Sequence, residues 1–471
     1  MSNESWVQQE TLMGTVPVLA GERQYGFWDL FLSTSGFAIA TWCYTQGAYV
    51  AGILSFKQML INIFCFNIIW VSISCIPVFF AVRYGIDLWI WLRGVLGPRA
   101  VAVLATVISM ANFGWYAVDA DLFASSLINL FAVFGISLPV GFWQPALGIL
   151  CVVLGTLVAL GGPRVIKITS RVLVTALLVV GAVVVVLCFT AVPFSQMVNL
   201  QPPADPSSTL SPIAKFMMSA EGNVAFAFSW STQALVLPRL CKSESKGYWG
   251  TTLAYGVVAP FFVAAGGIMA YAMFARFGVF ESDPTLMLSR LCGQSVALLS
   301  LMMVSFANIG TQGMGSYVNC MIVKSGLPKL SYRFLVILAM IYVSLLTVFG
   351  WVMEHFGAFI SLAAYIQGPI IGMTVTDYLF IRKRKADLED LYDTDGKHRY
   401  GFTRGFNIVS MAIILISFVS CFIVVYNPLT GVVKSPIFLV LTGSGWTAIS
   451  AGIMYYAASR TKLRGYMRID G

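Results

Sequence analysis

The sequence predicts an all-α polytopic membrane protein with twelve transmembrane helices, and three observations carry that prediction. Of 471 residues, 58% are hydrophobic and 10% charged, whereas soluble domains carry about 25% charged residues. The apolar residues gather into twelve runs near the roughly 20 residues that a helix needs to cross the hydrocarbon core. With the N-terminus inside, 24 of the 29 Lys and Arg fall on the cytosolic side, a strong positive-inside signal.

Taken in order, residues 1–26 read as a cytosolic tail. Its polar, mixed-charge start lacks the basic region, short apolar core and small-residue site of a cleaved signal peptide. The predicted spans are 27–50, 59–82, 101–133, 140–161, 173–194, 214–237, 251–274, 295–323, 332–352, 356–381, 406–426 and 437–457. Segment 86–96 is too short to span and is expected to lie along the interface, with its tryptophans at headgroup level. Residues 382–405 form a basic cytosolic loop, opened by the solvated run Arg382-Lys383-Arg384-Lys385, and 460–471 a second cytosolic tail. The net charge of +9 therefore marks topology beside anionic lipid, and nucleic-acid binding is a poor reading of it.

The spans suggest two halves. Many secondary transporters repeat a helical unit in inverted topology, with interrupted helices meeting near the midplane. A five-plus-five arrangement makes 27–194 the first repeat and 195–381 the second, followed by two additional helices within 406–459. Span 1 then corresponds to span 6, and span 3 to span 8. Span 1 carries Gly36, Thr41, Thr45, Gln46 and Gly47; span 6 carries Ser219-Ala220-Glu221-Gly222-Asn223 and then Phe226, Phe228, Ser229, Trp230, Ser231, Thr232 and Gln233. Glycine and polar clusters inside apolar 20-mers suit unwound, cavity-lining helices. The competing reading is that these small residues let neighbouring helices approach closely.

Span 3 holds Trp115, Asp119 and Asp121. A charge at mid-membrane depth costs about 2.5–3.5 kcal/mol on insertion scales, so it usually marks a substrate, ion or proton pathway. Trp115 and Asp119 are four apart and share a face, while Asp121 lies roughly 200° further round. Asp119 is the site candidate, able to accept substrate N–H groups or carry a proton, and Asp121 makes a structural or gating contact. Trp115 alone would be a packing aromatic; beside Asp119 it becomes a stacking platform. In span 8, Asn308, Thr311 and Gln312 fall at i, i+3 and i+4 on one face. Their oxygens suit a hard monovalent cation, or interhelical hydrogen bonds.

Nine cysteines lie mostly in apolar runs without a CxxC pair, and the only histidines are His355 and His398. No disulfide framework or Cys/His metal site is expected. The chain lacks HExxH and a convincing Ser/His pair, so an intramembrane enzyme is a poor reading. A passive channel is poorer still, with no ring of charged pore residues.

One stretch is more specific. Gln367-Gly368-Pro369-Ile370-Ile371-Gly372 leads to Thr376-Asp377-Tyr378-Leu379-Phe380-Ile381-Arg382-Lys383-Arg384, then Asp390-Leu391-Tyr392, Tyr400 and Gly405-Phe406-Asn407. This series resembles the nucleobase–cation symporter-1 family of hydantoin, allantoin, cytosine and purine permeases. The resemblance implies the inverted-repeat fold of sodium-coupled amino-acid transporters, alternating access, and import of a small nitrogen heterocycle with Na+ or H+ as coupling ion. It implies no other cofactor, no partner beyond substrate and lipid, and a cell-membrane location; a monomer is compatible with it. It places a planar ring between aromatics of spans 3 and 6. The substrate contacts it implies are Trp115, Asp119, Ala40, Phe226, Ala227, Phe228, Ser229 and Tyr317. For the cation it implies the Gly36 and Ile39 carbonyls with Asn308, Thr311 and Gln312. Two departures stand out. Gln312 replaces a hydroxyl residue, which keeps protons open, and Asp119 replaces a common glutamine. A carboxylate cannot donate hydrogen bonds, so cytosine-like, purine-like or cationic vitamin-precursor ligands fit better than uracil-like diones. The alternative is an amino-acid or amine symporter of the same fold.

Overall fold

The computed structural model describes residues 16–202, 210–291, 293–392 and 399–469, and nearly all of these residues are in helices or their connecting turns. Cys292, His398 and most of the N-terminal tail lie outside the described residues. Among the described residues, ten helices are long and apolar enough to cross a membrane. In chain order the elements used below are α1 (Phe27–Ala38), α2 (Thr41–Ala51), α3 (Phe56–Tyr84), α4 (Leu88–Leu96), α5 (Pro98–Val133) and α6 (Val140–Leu160). They continue with α7 (Gly162–Ala191), α8 (Pro212–Ser229), α9 (Ser231–Ala234), α10 (Glu244–Phe277) and α11 (Gln294–Gly326). The last are α12 (Tyr332–Phe349), α13 (Phe356–Ile381), α14 (Ile408–Val425) and α15 (Phe438–Ser459). Large apolar side chains such as Leu157, Val186, Phe349, Leu415 and Val440 face outward, as lipid-facing surfaces require.

The first predicted span is two helices. Ile39 (φ −103°, ψ 101°) and Ala40 (φ −137°, ψ 176°) are extended between α1 and α2. The interruption frees backbone groups that would be costly in lipid. Here the Cys43 thiol donates to the Ala38 carbonyl at 3.3 Å, and the Cys43 N–H to the Ala40 carbonyl at 3.0 Å. Immediately beyond, α2 lies hard against α10: a β-carbon at Gly47 would collide with the Val263 carbonyl. Only glycine admits that approach.

The sixth span is also interrupted, at the second of its two expected stretches and not at the first. Ser219 to Asn223 remain helical within α8, and the break comes at Trp230 before the single turn of α9. The cluster is consumed by interhelical bonds. Asn223 donates to Asn62 Oδ1 at 2.8 Å and accepts from Asn67 at 3.2 Å. Glu221 reaches α15, whose helix is broken at Thr442 (φ 61°, ψ 176°). Its Oε2 accepts the Gly443 and Ser444 N–H groups, both at 2.9 Å, and Oε1 accepts the Ser444 and Ser361 hydroxyls at 2.8 and 3.0 Å. A carboxylate thus caps the resumed helix, where its charge is favoured. Glu221→Gln is expected to destabilise the protein by about 1–2 kcal/mol, the difference between charged and neutral acceptors. A lower melting temperature in detergent checks this; an unchanged one removes the cap from the account.

Segment 86–96 is corrected. Every residue of α4 is buried in protein, including Trp89, Trp91 and Arg93, so it does not lie at the interface. Asp87 caps it through the Ile90 N–H at 3.0 Å. Trp91 stacks on Phe80 with ring centroids 4.3 Å apart and donates to Asp377 Oδ2 at 3.0 Å. The expected solvated run is corrected at its first member. Arg382 is mostly buried and pairs with Asp377 at 2.8 Å, while Lys383, Arg384 and Lys385 are exposed. Arg382 also donates to the Gly94 carbonyl and the Tyr400 hydroxyl, and Tyr455 donates to Asp377 at 3.1 Å. Arg93 donates to the Leu391 carbonyl at 3.4 Å, and Asn407 to the Val95 carbonyl at 2.8 Å. The specific motif of the C-terminal third is therefore a buried clamp around α4.

Candidate functional site

Both helix breaks deliver a tryptophan to one place. Trp42 opens α2, Trp230 occupies the break after α8, and Trp115 comes from the middle of α5; all three are fully buried. Trp42 stacks on Trp230 at 4.8 Å and 29°, Trp115 lies 4.6 Å from Trp230 at 36°, and Trp42 to Trp115 is 5.2 Å. Phe226, Phe356 and Phe359 pack edge-on around Trp115 at 5.6, 5.7 and 5.2 Å. None of the three indole Nε1 donors has a partner. Buried polar groups are normally hydrogen-bonded, and exceptions call for an explanation. Three unpaired donors at one aromatic junction suit a ring with acceptor atoms. The indoles now touch one another, so a flat ring entering between Trp115 and Trp230 must part them by roughly 3.5 Å, one aromatic thickness.

A polar layer lies beside these rings. Tyr116 donates to Gln233 Oε1 at 2.7 Å, and Asn319 donates to the Tyr116 oxygen and to Gln233 at 3.2 Å each. Asn112 donates to Asn319 at 3.0 Å and accepts from Gln367 at 3.0 Å. Gln367 also donates to the Ser229 carbonyl freed by the break at 2.9 Å and accepts from Thr232 at 2.6 Å. Spans 3, 6, 8 and 10 are thereby tied together at the level of the interruption. Gln46 sits against Gly222 with both amide atoms unpartnered.

The sequence-predicted residues separate into groups. Trp115 and Phe226 meet. Ser229 contributes its carbonyl to the polar layer, and its hydroxyl returns to the Phe226 carbonyl at 3.0 Å. Ala40 is buried in the extended break. Phe228 faces away, edge-on to Trp70 at 5.3 Å in a groove with Gly372 and Ala448 that opens on the apolar outer surface. Ala227 lines a small void with Trp230, Val71, Cys75 and Tyr255. Tyr317 is half-buried against Tyr332 at 5.9 Å. Phe228 and Tyr317 do not join the tryptophans, whereas Ala227 borders Trp230.

Asp119 is fully buried and turns toward the predicted ion residues rather than over the aromatic slot. The Asn308 amide lies 3.0 Å from Asp119 Oδ1 and 2.6 Å from the Thr41 hydroxyl oxygen, and Asp119 Oδ2 has no partner. Asp121 instead accepts from Gln144 at 2.9 Å. A β-carbon on Gly36 would approach the Met314 thioether and Val174 within 3.1 and 3.2 Å. Gln312 packs on Gly155 of α6, so closely that a β-carbon there would come within 2.6 Å of its own, and its amide has no partner. Thr311 is buried, and Ile39 is extended at the break. Asp119, Asn308 and Thr41 are gathered here.

Trp42, Trp230, Gln233, Asn112, Asn319 and Gln367 were not singled out as site residues. The available signal for the two tryptophans was position, since each adjoins an interruption; for the amides it was polarity within apolar spans.

Comparison with known proteins identifies the family and the fold. The pattern of the family described as "Permease for cytosine/purines, uracil, thiamine, allantoin" matches residues 17–446. A purine-uracil permease of Arabidopsis thaliana is 23% identical over 70% of this chain; the match spans 57% of the plant protein's length. Among solved structures, the inward-facing conformation of Mhp1 superposes with a TM-score of 0.73 at 17% identity, covering 96% of both chains. Mhp1 described as a nucleobase-cation-symport-1 family transporter, closed with bromovinylhydantoin bound, gives 0.71 at 18% over 97% of this chain and 98% of that one. The fold is therefore that of Mhp1, and relatives by sequence and structure are permeases rather than enzymes. With a match reaching from residue 17 to residue 446, this multi-pass membrane protein belongs to the family of permeases for cytosine/purines, uracil, thiamine and allantoin.

Proposed function

We propose that this chain is a secondary active transporter that imports a nucleobase or related nitrogen heterocycle with a coupled cation, by alternating access. The observation that supports this reading is the meeting of Trp42, Trp115 and Trp230 at the two helix interruptions, with three unpaired indole donors beside a buried amide layer. Flat rings stack on aromatics with about 1–3 kcal/mol per ring, and the unpartnered Gln46 amide can both donate and accept, and Gln233 Nε2 donate, against a ring edge. The interrupted α1–α2 and α8–α9 segments complete twelve spans, arranged as five-plus-five with α14 and α15 added, and both termini are cytosolic. Residues 27–194 and 195–381 form the two repeats, and rocking of one bundle against the other carries the ring inward.

Uptake into proteoliposomes of radiolabelled cytosine, adenine, uracil, allantoin and thiamine, under imposed sodium or proton gradients, tests this. Accumulation of at least one compound under a gradient is expected. No gradient-dependent uptake across the panel would overturn the reading.

A further inference from the structure

The outer wall of the bundle carries a groove that the transport reading does not use. It runs between α13 and α15, flanked by Trp70 and Ile73 of α3, and encloses about 510 Å3. That lies within the roughly 300–1,000 Å3 of small-molecule sites. Its floor follows from close packing. A β-carbon at Gly372 would collide with the Ala448 carbonyl, and one at Gly452 would come within 2.8 Å of the Thr376 hydroxyl. Helices that approach on such residues leave a furrow beside the contact, and Phe228 closes it from α8.

The groove has the reach of one lipid tail. Its lining runs from Ala448 to Tyr456 on α15 and from Ile371 to Phe380 on α13. At about 1.5 Å per residue these stretches are roughly 12 and 14 Å long, close to half of the roughly 30 Å hydrocarbon core. Both begin near the middle of their helix and end in its last turns.

That end is basic. Phe380 and Tyr456 meet edge-on there, with centroids 6.3 Å apart. Arg460, one residue beyond α15, holds its guanidinium 5.0 Å from the centre of the Tyr456 ring and donates to the Tyr456 hydroxyl at 3.1 Å. The guanidinium has further donors to offer. Arg460 is exposed, as are Lys462 behind it and Lys383 and Arg384 just past α13. Asp377, the acid on this stretch of α13, is buried against Arg382 and does not neutralise them.

We propose that this groove is a phospholipid site: one acyl chain of an anionic phospholipid lies along α13 and α15, and its phosphate sits on Arg460. The apolar lining suits a hydrocarbon chain, and the basic mouth favours a head of net negative charge over a zwitterionic one. The chain rests on Phe228, two residues before the break at Trp230. A lipid of the bilayer thus props the segment that carries that tryptophan, whatever compound the protein transports.

Native mass spectrometry of the full chain, delipidated in detergent and titrated with phosphatidylglycerol or phosphatidylcholine of matched chains, tests this. The parent is expected to retain one phosphatidylglycerol more tightly than phosphatidylcholine. Arg460→Gln should weaken phosphatidylglycerol by about fivefold, the share of one basic residue beside anionic lipid, and leave phosphatidylcholine unchanged. Ile453→Trp, at an exposed position on the groove, should displace both lipids, and Leu157→Trp, on the outward face of α6, neither. If Ile453→Trp folds poorly, Ile73→Trp blocks the opposite wall. Equal retention of the two lipids by the parent, no loss in Arg460→Gln, or full retention in a folded groove-filling variant would each overturn the assignment. So would a parent that is dimeric by light scattering beside a monomeric groove variant, because a second copy of the chain would then be the occupant.

Discussion

Replacing Trp115 with alanine is expected to weaken heterocycle binding by about 1–3 kcal/mol, a loss of roughly five- to 150-fold in affinity. The ring stands between Trp230 at 4.6 Å and the edges of Phe226, Phe356 and Phe359, so its face is what a planar ligand would meet once the indoles part. Truncation also empties a packed site, and core Trp→Ala changes cost about 3–5 kcal/mol of stability. The two effects separate experimentally. Trp115→Phe keeps an aromatic face and most of the volume, so it should retain most of the affinity, whereas Trp115→Leu fills space without a π face and should not. Equilibrium binding of a transported panel compound, measured beside each variant's melting temperature, distinguishes them. Equal affinity in the leucine and phenylalanine variants would move the ligand away from Trp115.

Asp377→Ala should cost about 3–5 kcal/mol, the penalty for leaving one member of a buried ion pair uncompensated. Arg382 Nε lies 2.8 Å from Asp377, and its side chain is enclosed by the Trp91 and Tyr400 rings with centroids at 5.4 and 4.9 Å. Removing the acid also strands the Trp91 N–H and the Tyr455 hydroxyl. Sharply reduced yield of folded protein by size exclusion is the expected readout. The double change Asp377→Ala with Arg382→Leu should recover part of the loss, because no unpaired charge remains. Loss in the double variant as severe as in the single one would show that the charge is not the cause.

How far the sequence alone reaches differs by element. Span positions followed from hydropathy because lipid imposes a single demand on every crossing helix, and the ten long helices fall where that demand predicts. The Thr376-to-Arg384 motif marked a feature correctly but not its nature. A basic run reads as solvated until the acid five residues earlier proves to be its buried partner. Segment 86–96 was misplaced for a related reason, since amphipathic tryptophans suit a headgroup region and a protein interior equally well. Within the site, Trp115 was legible from its spacing to Asp119, but spacing along one helix does not say which neighbour each side chain meets. Asp119 turned toward Asn308, 189 positions along the chain. Likewise, Ser219 to Asn223 had the composition of an unwound segment and became an interhelical seam, while the break fell on Trp230. Local composition reports that polar groups need partners; only the assembled bundle supplies them.

The carboxylate bridge from Glu221 to the interrupted α15 has a consequence for motion. Three bonds to one side chain fasten the first part of the sixth segment to α15, and a fourth, from Ser361, fastens it to α13, along which α15 lies. Swinging α8 without its neighbours would tear all four, which binds the three elements into one unit. Under the proposed rocking motion α15 is carried along with α8, and shortening the chain ahead of Gly443 would alter that motion as well as the protein's stability.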